Sequence, residues 1–235
     1  EVFDGVSCPG EHGLFTTPPV AVDGSPEAVM DGIGRTVTEA LQADAIPVVL
    51  GGEHTVTAGA VRAVGNHVPA LGVIHLDAHA DLRDTYGGDR WSHACVMRRI
   101  VERKLPVLQL GGRSISPEGL AARRRFPIIA VDARDLAHGR PVSGVLPADF
   151  PEDVYLSLDL DVLDASLMPA TGTPEPGGPG FWRTLALVEE ATAGRRIRGL
   201  DVVELAPHPA HRHADYTAAK LTYLLMGVAL RAASG

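Results

Sequence analysis

Cysteine is nearly missing from this sequence: Cys8 and Cys95 are the only two in 235 residues. They lie in no paired spacing, which argues against a disulfide framework and a thiolate zinc site and makes a reducing cytoplasm the expected compartment. No apolar run approaches the roughly 18 residues of a membrane helix, and no signal-peptide pattern is present. Positive charge is also in deficit. Against 29 acidic side chains stand 21 Lys and Arg, a net charge of −8, so neither nucleic acid nor an anionic membrane is expected as a partner, whereas a small cationic molecule would be attracted. There is no internal repeat and no low-complexity tract. With 45% hydrophobic residues and no change of composition to mark a linker, residues 1–235 read as one domain around one sizeable core.

Within that domain, short apolar runs alternate with one-sided apolar stripes. Residues 1–25, rich in Gly and Pro, read as an irregular lead-in. Ser25 and Pro26 form a helix start, and Val29, Ile33, Val37 and Leu41 give it one apolar face to about Ala43. Buried strands are expected at 46–50, 71–76, 106–110, 127–131, 154–160 and 197–203. Helices are expected from about Thr55, near 93–104, 116–125 and 180–193, and from about Tyr216 to Ala233. This alternation implies an α/β fold of three layers, a mostly parallel sheet between helices, with functional residues beyond the carboxyl ends of the strands. The Gly/Pro-biased stretch 168–179 reads as a stiff wall of a binding site.

Two clusters fall at such strand ends. Asp77, His79 and Asp81 occupy alternate positions after one apolar run, and Asp159 and Asp161 after another. If the backbone stays extended, alternate side chains leave on one face. His54 follows the Gly51-Gly52 turn. Each Asp alone could cap a helix or close a turn. Two such clusters meeting in one crevice would instead need a proton or a cation to offset their charge, and carboxylates mixed with imidazole suit an ion such as Mn²⁺. An EF-hand loop fails on spacing, and no His-Glu-x-x-His helix exists.

Gly51-Gly-Glu-His54, Asp77-Ala-His-Ala-Asp81, Ser157-Leu-Asp-Leu-Asp161-Val-Leu-Asp164 and Asp201-Val-Val-Glu204 together resemble the signatures of the ureohydrolases, the arginase and agmatinase family. The resemblance runs in order from about residue 45 to the end and implies an arginase-like fold. It implies two Mn²⁺ per chain, one held by His54, Asp77, Asp81 and Asp159, the other by Asp77, His79, Asp159 and Asp161. A metal-bridging hydroxide would attack a guanidinium carbon, giving urea and an amine, with Asp81 relaying the proton. Glu204 would receive the guanidinium, and His93 matches the proton-shuttling histidine. The stretch 81–94 looks closer to agmatinases than to arginases, so agmatine is the expected substrate and putrescine, a polyamine precursor, the product. Arginine, guanidinobutyrate, formiminoglutamate and aminopropyl-agmatine are the alternatives, and the resemblance implies a cytoplasmic homo-oligomer, a trimer or hexamer.

The sequence departs from the family at the amino end, where the usual extra strand and its Arg/Gly/Pro-rich loop are expected to be absent. His93 has a second reading as a first-turn residue capped by Ser92. His75, taken as out of phase with the cluster, reads as a hydrogen-bonded core histidine. His208, His211 and His213 read as a solvated loop at the site rim, Cys95 as packing, and the pairs and triplets of Arg at 98–99, 123–125 and 195–196 as exposed helix faces or subunit contacts. A two-metal phosphohydrolase, with Arg83 and Arg113 near the phosphate, and an inactive scaffold are the rival functions.

Overall fold

The computed structural model describes residues 2–233. Its sheet has six strands: β1 (Val48–Leu50), β2 (Gly72–Leu76), β3 (Val107–Leu110), β4 (Ile128–Val131), β5 (Asp153–Asp159) and β6 (Arg196–Val203). They lie in the order β1-β6-β5-β2-β3-β4, and every pairing is parallel. The order of travel reverses between β2 and β5, which opens a crevice at their carboxyl ends. The helices are α1 (Pro26–Gln42), α2 (Val56–His67), α3 (Val96–Glu102), α4 (Pro117–Arg125), α5 (Ala133–Ala137), α6 (Phe181–Thr192) and α7 (Arg212–Ala233). This is the expected parallel α/β architecture.

Strand alternation divides the core in two. Ile74, Leu76, Leu108, Leu110, Leu156, Leu158, Leu200 and Val202 pack with α6 and α7. Val73, Val107 and Tyr155, at the intervening positions, pack with α1, α2 and α3. Each fully buried Leu or Val adds roughly 1.5–3 kcal/mol. On the α1–α3 face the apolar positions then give way, toward the carboxyl ends, to Gln109, His75, Ser157 and Asp201. All four are buried.

Several expectations need correcting. The strand at 46–50 is the sheet edge: it is three residues long and Leu50 is 68% exposed, because one flank of an edge strand has no neighbour to bury it. β4, the opposite edge, is likewise only half-buried along most of its length. The short α5 was not expected; five residues are too few to show a periodicity. α7 begins at Arg212, four residues before Tyr216, so His213 lies on a helix, and His211 in a 3-10 turn at Pro209–His211. Residues 2–25 are irregular apart from a 3-10 turn at Pro9–His12.

Candidate metal centre

Local backbone devices bring the carboxylates together, and extended alternation does only part of it. β2 ends at Leu76, and beyond it His79 makes an isolated bridge to Ser114. Asp81 then turns into left-handed backbone, φ 52°, and Glu204 does the same at φ 65°. Non-glycine residues hold that conformation at a cost of about 1–3 kcal/mol, and such strain gathers at functional sites. Asp161 is delivered by a 3-10 turn, Leu160–Val162, which the Asp159 carboxylate caps by accepting the Asp161 N–H at 2.8 Å. Gly51 lets the turn carrying His54 approach β6: a Cβ there would stand 2.8 Å from Val203 and from Val56.

The result is a buried nest of acids around one imidazole. Nδ1 of His54 lies 3.2 Å from Asp81 Oδ2, 3.2 Å from Asp159 Oδ2 and 3.3 Å from Asp77 Oδ2, yet it has no hydrogen-bond partner. Its other nitrogen, Nε2, is 2.9 Å from Ser157 Oγ. A second group adjoins this one. His79 Nδ1 lies 2.9 Å from Asp161 Oδ2 and 3.4 Å from Asp77 Oδ1. The two oxygens of Asp77 therefore face different imidazoles. Asp159 is less symmetric, with Oδ2 toward His54 and Oδ1 on the Asp161 N–H, and no His79 nitrogen among its recorded partners.

Electrostatics exposes the imbalance. Burial, reinforced by the charges of Asp77 and Asp161, pushes the Asp159 carboxyl well above its ordinary range, and burial with the Asp77 charge raises that of Asp161. Burial also opposes ionisation of Asp77, but the imidazoles of His75, His54 and His79 outweigh it and hold its carboxyl well down. For His79 burial works against the charged ring, while hydrogen bonds to Asp161 and Asp77 prevail and raise it to about 11. Protons shared among acids and imidazoles are a poor substitute for a divalent cation here. The unpaired, fully buried His54 Nδ1 pointing at three carboxylate oxygens fits a cation, and the N/O donor set suits Mn²⁺ or a similar ion.

The other expected site residues lie around this nest. Glu204 is partly buried, and its Oε1 accepts the His54 N–H at 2.6 Å; burial raises its carboxyl above the usual range despite that bond. His93 sits at the mouth, 46% exposed, its Nδ1 3.8 Å from Glu53 and its ring edge-on to Tyr86. Ser92 makes no side-chain cap. His75 needs correction: residues 75 and 77 share a strand face, so it is in phase with the cluster. Its Nε2 is 2.8 Å from Asp77 Oδ2, and its Nδ1 3.1 Å from the Gln109 amide, leaving it a hydrogen-bonded core histidine against the acid nest. His208 and His211 stack at 5.3 Å, but the two groups of converging donor atoms found among the described residues do not include them. Cys95 is fully buried and its thiol is pushed up to about 11 by burial, as suits packing.

Not all the arginines expected on exposed helix faces lie there. Arg99 is buried against Asp84 and Glu102, and Arg123 reaches Gln109 and Asp132 beneath the site. A helix-face pattern does not reveal such inward reach, because a long side chain can bury its stem and still place its head on a partner. Arg113 donates from all three guanidinium nitrogens to main-chain carbonyls, among them those of Asp161, Leu163, Glu175 and Pro176. It rivets the expected wall, which brings Thr173 to 3.5 Å from Asp161 and Glu175 to 3.9 Å from His79 Nε2. Neither residue carried a sequence signal beyond the bias of the loop around it.

The chain is similar to known proteins in sequence and in fold. Residues 5–227 match the sequence profile of the Arginase family. An agmatinase of Pyrococcus horikoshii is 37% identical over 213 residues, 91% of this chain and 72% of the relative. An N(1)-aminopropylagmatine ureohydrolase of Thermococcus kodakarensis is 40% identical over 208 residues, 88% of this chain and 70% of the relative. Among solved structures, agmatine ureohydrolase of Thermoplasma volcanium superposes with a TM-score of 0.76 at 30% identity, covering 88% of this chain and 70% of that one. With its acid nest at the switch point of a parallel sheet and a profile match over nearly its whole length, the chain belongs to the arginase family.

Proposed function

We propose that this chain hydrolyses the guanidino group of agmatine, or of aminopropyl-agmatine, to urea and the corresponding amine, and that it uses two Mn²⁺. The first ion is assigned to His54, Asp77, Asp81 and Asp159, the second to Asp77, His79, Asp159 and Asp161. The observation that carries this reading is the convergence of three carboxylate oxygens on an unpaired, buried imidazole nitrogen. When bound, the ions supply Lewis acidity and a water acidic enough to be a nucleophile at neutral pH.

The remaining chemistry belongs to the side chains. Asp81 takes the proton of the attacking water and passes it to the leaving nitrogen. Glu204 receives the guanidinium, its carboxylate oriented beforehand by the His54 N–H. His93, at the exposed mouth, moves protons between the leaving amine and bulk water. The phosphohydrolase alternative finds no support, since Arg113 is committed to carbonyls and Arg83 stacks on Tyr86 at 5.4 Å. A cytoplasmic homo-oligomer, a trimer or hexamer, belongs to the same proposal; among the described residues no helix is long and apolar enough to cross a membrane.

The test is incubation of Mn²⁺-loaded protein with agmatine, aminopropyl-agmatine, arginine, guanidinobutyrate and formiminoglutamate, scored by release of urea or formamide. Turnover of the first two ahead of arginine is expected. No release from any of them, with metal bound, would sink the enzyme reading. Glu204→Gln should cost about 10- to 100-fold in kcat/KM, the equivalent of losing one charge-assisted hydrogen bond, and His93→Ala about 10²–10⁴-fold in kcat. Unchanged activity in both variants would refute these roles.

A further inference from the structure

Beneath the acid nest, register aligns four polar residues across four adjacent strands. His75 of β2 pairs with Gln109 of β3 and with Ser157 of β5, and Ser157 pairs with Asp201 of β6. All are buried on the α1–α3 face, and none is assigned as a ligand or reactant above. Their hydrogen bonds form two chains with defined direction.

On one side Asp201 Oδ1 accepts the Ser157 hydroxyl at 2.8 Å. The Ser157 oxygen, its proton so engaged, is left to accept from His54 Nε2 at 2.9 Å. Nε2 is thereby the donor, and Nδ1 faces the three carboxylates with whatever they hold there, a proton or a cation. On the other side Arg123 can only donate, and its Nε gives to Gln109 Oε1 at 2.9 Å. That orients the Gln109 amide nitrogen toward His75 Nδ1 and the Ala80 carbonyl. His75 Nδ1 is thereby an acceptor, and Nε2 donates to Asp77 Oδ2 at 2.8 Å.

We propose that this buried row is a positioning device with an acceptor at one end, Asp201, and a donor at the other, Arg123, and that it fixes His54 Nδ1 and Asp77 Oδ2 for a divalent cation. The proposal rests on the reading that His54 and Asp77 hold a metal. Ligands oriented by such outer partners lose about 10–100-fold in metal affinity when the partner is removed. Asp201→Asn is informative because an amide can turn its NH₂ toward Ser157. The hydroxyl would then donate to His54 Nε2 and drive the ring proton onto Nδ1, facing the acids.

The test is Mn²⁺ titration by calorimetry of metal-free wild type, Asp201→Asn, Ser157→Ala, the double variant and Arg123→Met, with ¹⁵N NMR of the histidine rings in the metal-free proteins. Each single variant should bind the tighter ion about 10- to 100-fold more weakly, and the double variant no more weakly than its weaker parent. The His54 Nε2–H should carry the shift of a hydrogen-bonded proton in the wild type and lose it in Ser157→Ala. Wild-type affinity in Asp201→Asn, losses that multiply in the double variant, or an unchanged His54 ring in Ser157→Ala would overturn the proposal. Ser157→Ala, a one-atom deletion, serves should Asp201→Asn fail to fold. Wild type that takes up no ion would instead overturn the metal reading, and the proposal with it.

Discussion

Asp77 is the residue on which the proposed centre turns, since its two carboxylate oxygens face His54 and His79 separately. Asp77→Ala is therefore expected to lose both ions, whereas His79→Ala should chiefly weaken one. Metal content after exhaustive dialysis checks this, and equal losses in the two variants would contradict it. The acids here were legible because they recur at alternate positions after apolar runs. Their supports were not. Ser157 and Asp201 were in view as members of motifs, but the role argued for them depends on which strand lies beside which. Sequence spacing does not carry that information.

At the scale of elements, the wall over the centre is held chiefly by Arg113, helped by the Asp164 carboxylate, which accepts the Gly177 N–H, and by backbone bonds such as Ala165 N–H to Glu175. Arg113, just past β3, bonds the backbone of the 3-10 turn that carries Asp161 and of the loop that carries Glu175. Arg113→Ala would leave several half-buried carbonyls without partners, at roughly 1–3 kcal/mol for each that water cannot reach. A destabilisation of about 3 kcal/mol in urea denaturation is expected, with new protease cleavage within 168–180. Arg113→Lys should rescue little of it, because a compact ammonium cannot fan out to carbonyls on two segments. Stability and cleavage like the wild type in Arg113→Ala would show that the loop holds itself. Strand and helix positions were mostly readable within a few residues from apolar runs, Ser caps and Pro starts. The edge character of β1 and the early start of α7 were not, since both follow from neighbours that a local pattern does not specify.

For the whole molecule, an acid nest without compensating cations is a fault in the core that metal repairs. Mn²⁺ at 100 times its Kd adds about 2.7 kcal/mol, and for a chain of this length each kcal/mol moves Tm by roughly 2–4 °C. Chelation should accordingly lower Tm by about 5–10 °C relative to the loaded protein, as read by calorimetry. An unchanged Tm would argue against tight binding to the folded state. The amino-terminal segment supplies a pH prediction. Burial opposes ionisation of Asp4, but the N–H groups of Ser7 and Val6 and the Arg231 side chain outweigh it and hold its carboxyl well below 3.8. A depressed carboxyl contributes fully above its unfolded pKa and is lost as pH falls through the folded one. Protease access to residues before α1 should thus rise as pH drops below about 4, and Asp4→Asn should show that access already at neutral pH. Equal access at both pH values would refute the tether.

The sequence by itself determined the alternating strands and helices, the scarcity of cysteine, the excess of acid and the six candidate ligands with their resemblance to ureohydrolases. These follow from local chemistry: apolar period, capping residues, and acids at the ends of buried runs. Only the tertiary structure decided that β2 lies beside β5 and brings His54, Asp77 and Asp159 within reach of one point. It also decided that His75 faces the cluster, that Arg123 points beneath it and Arg113 beside it, and that a polar row runs across four strands. The physical reason is that strand order and register are set by how two helical layers bury the two faces of one sheet, and no stretch of residues around a given side chain encodes its neighbour across that sheet.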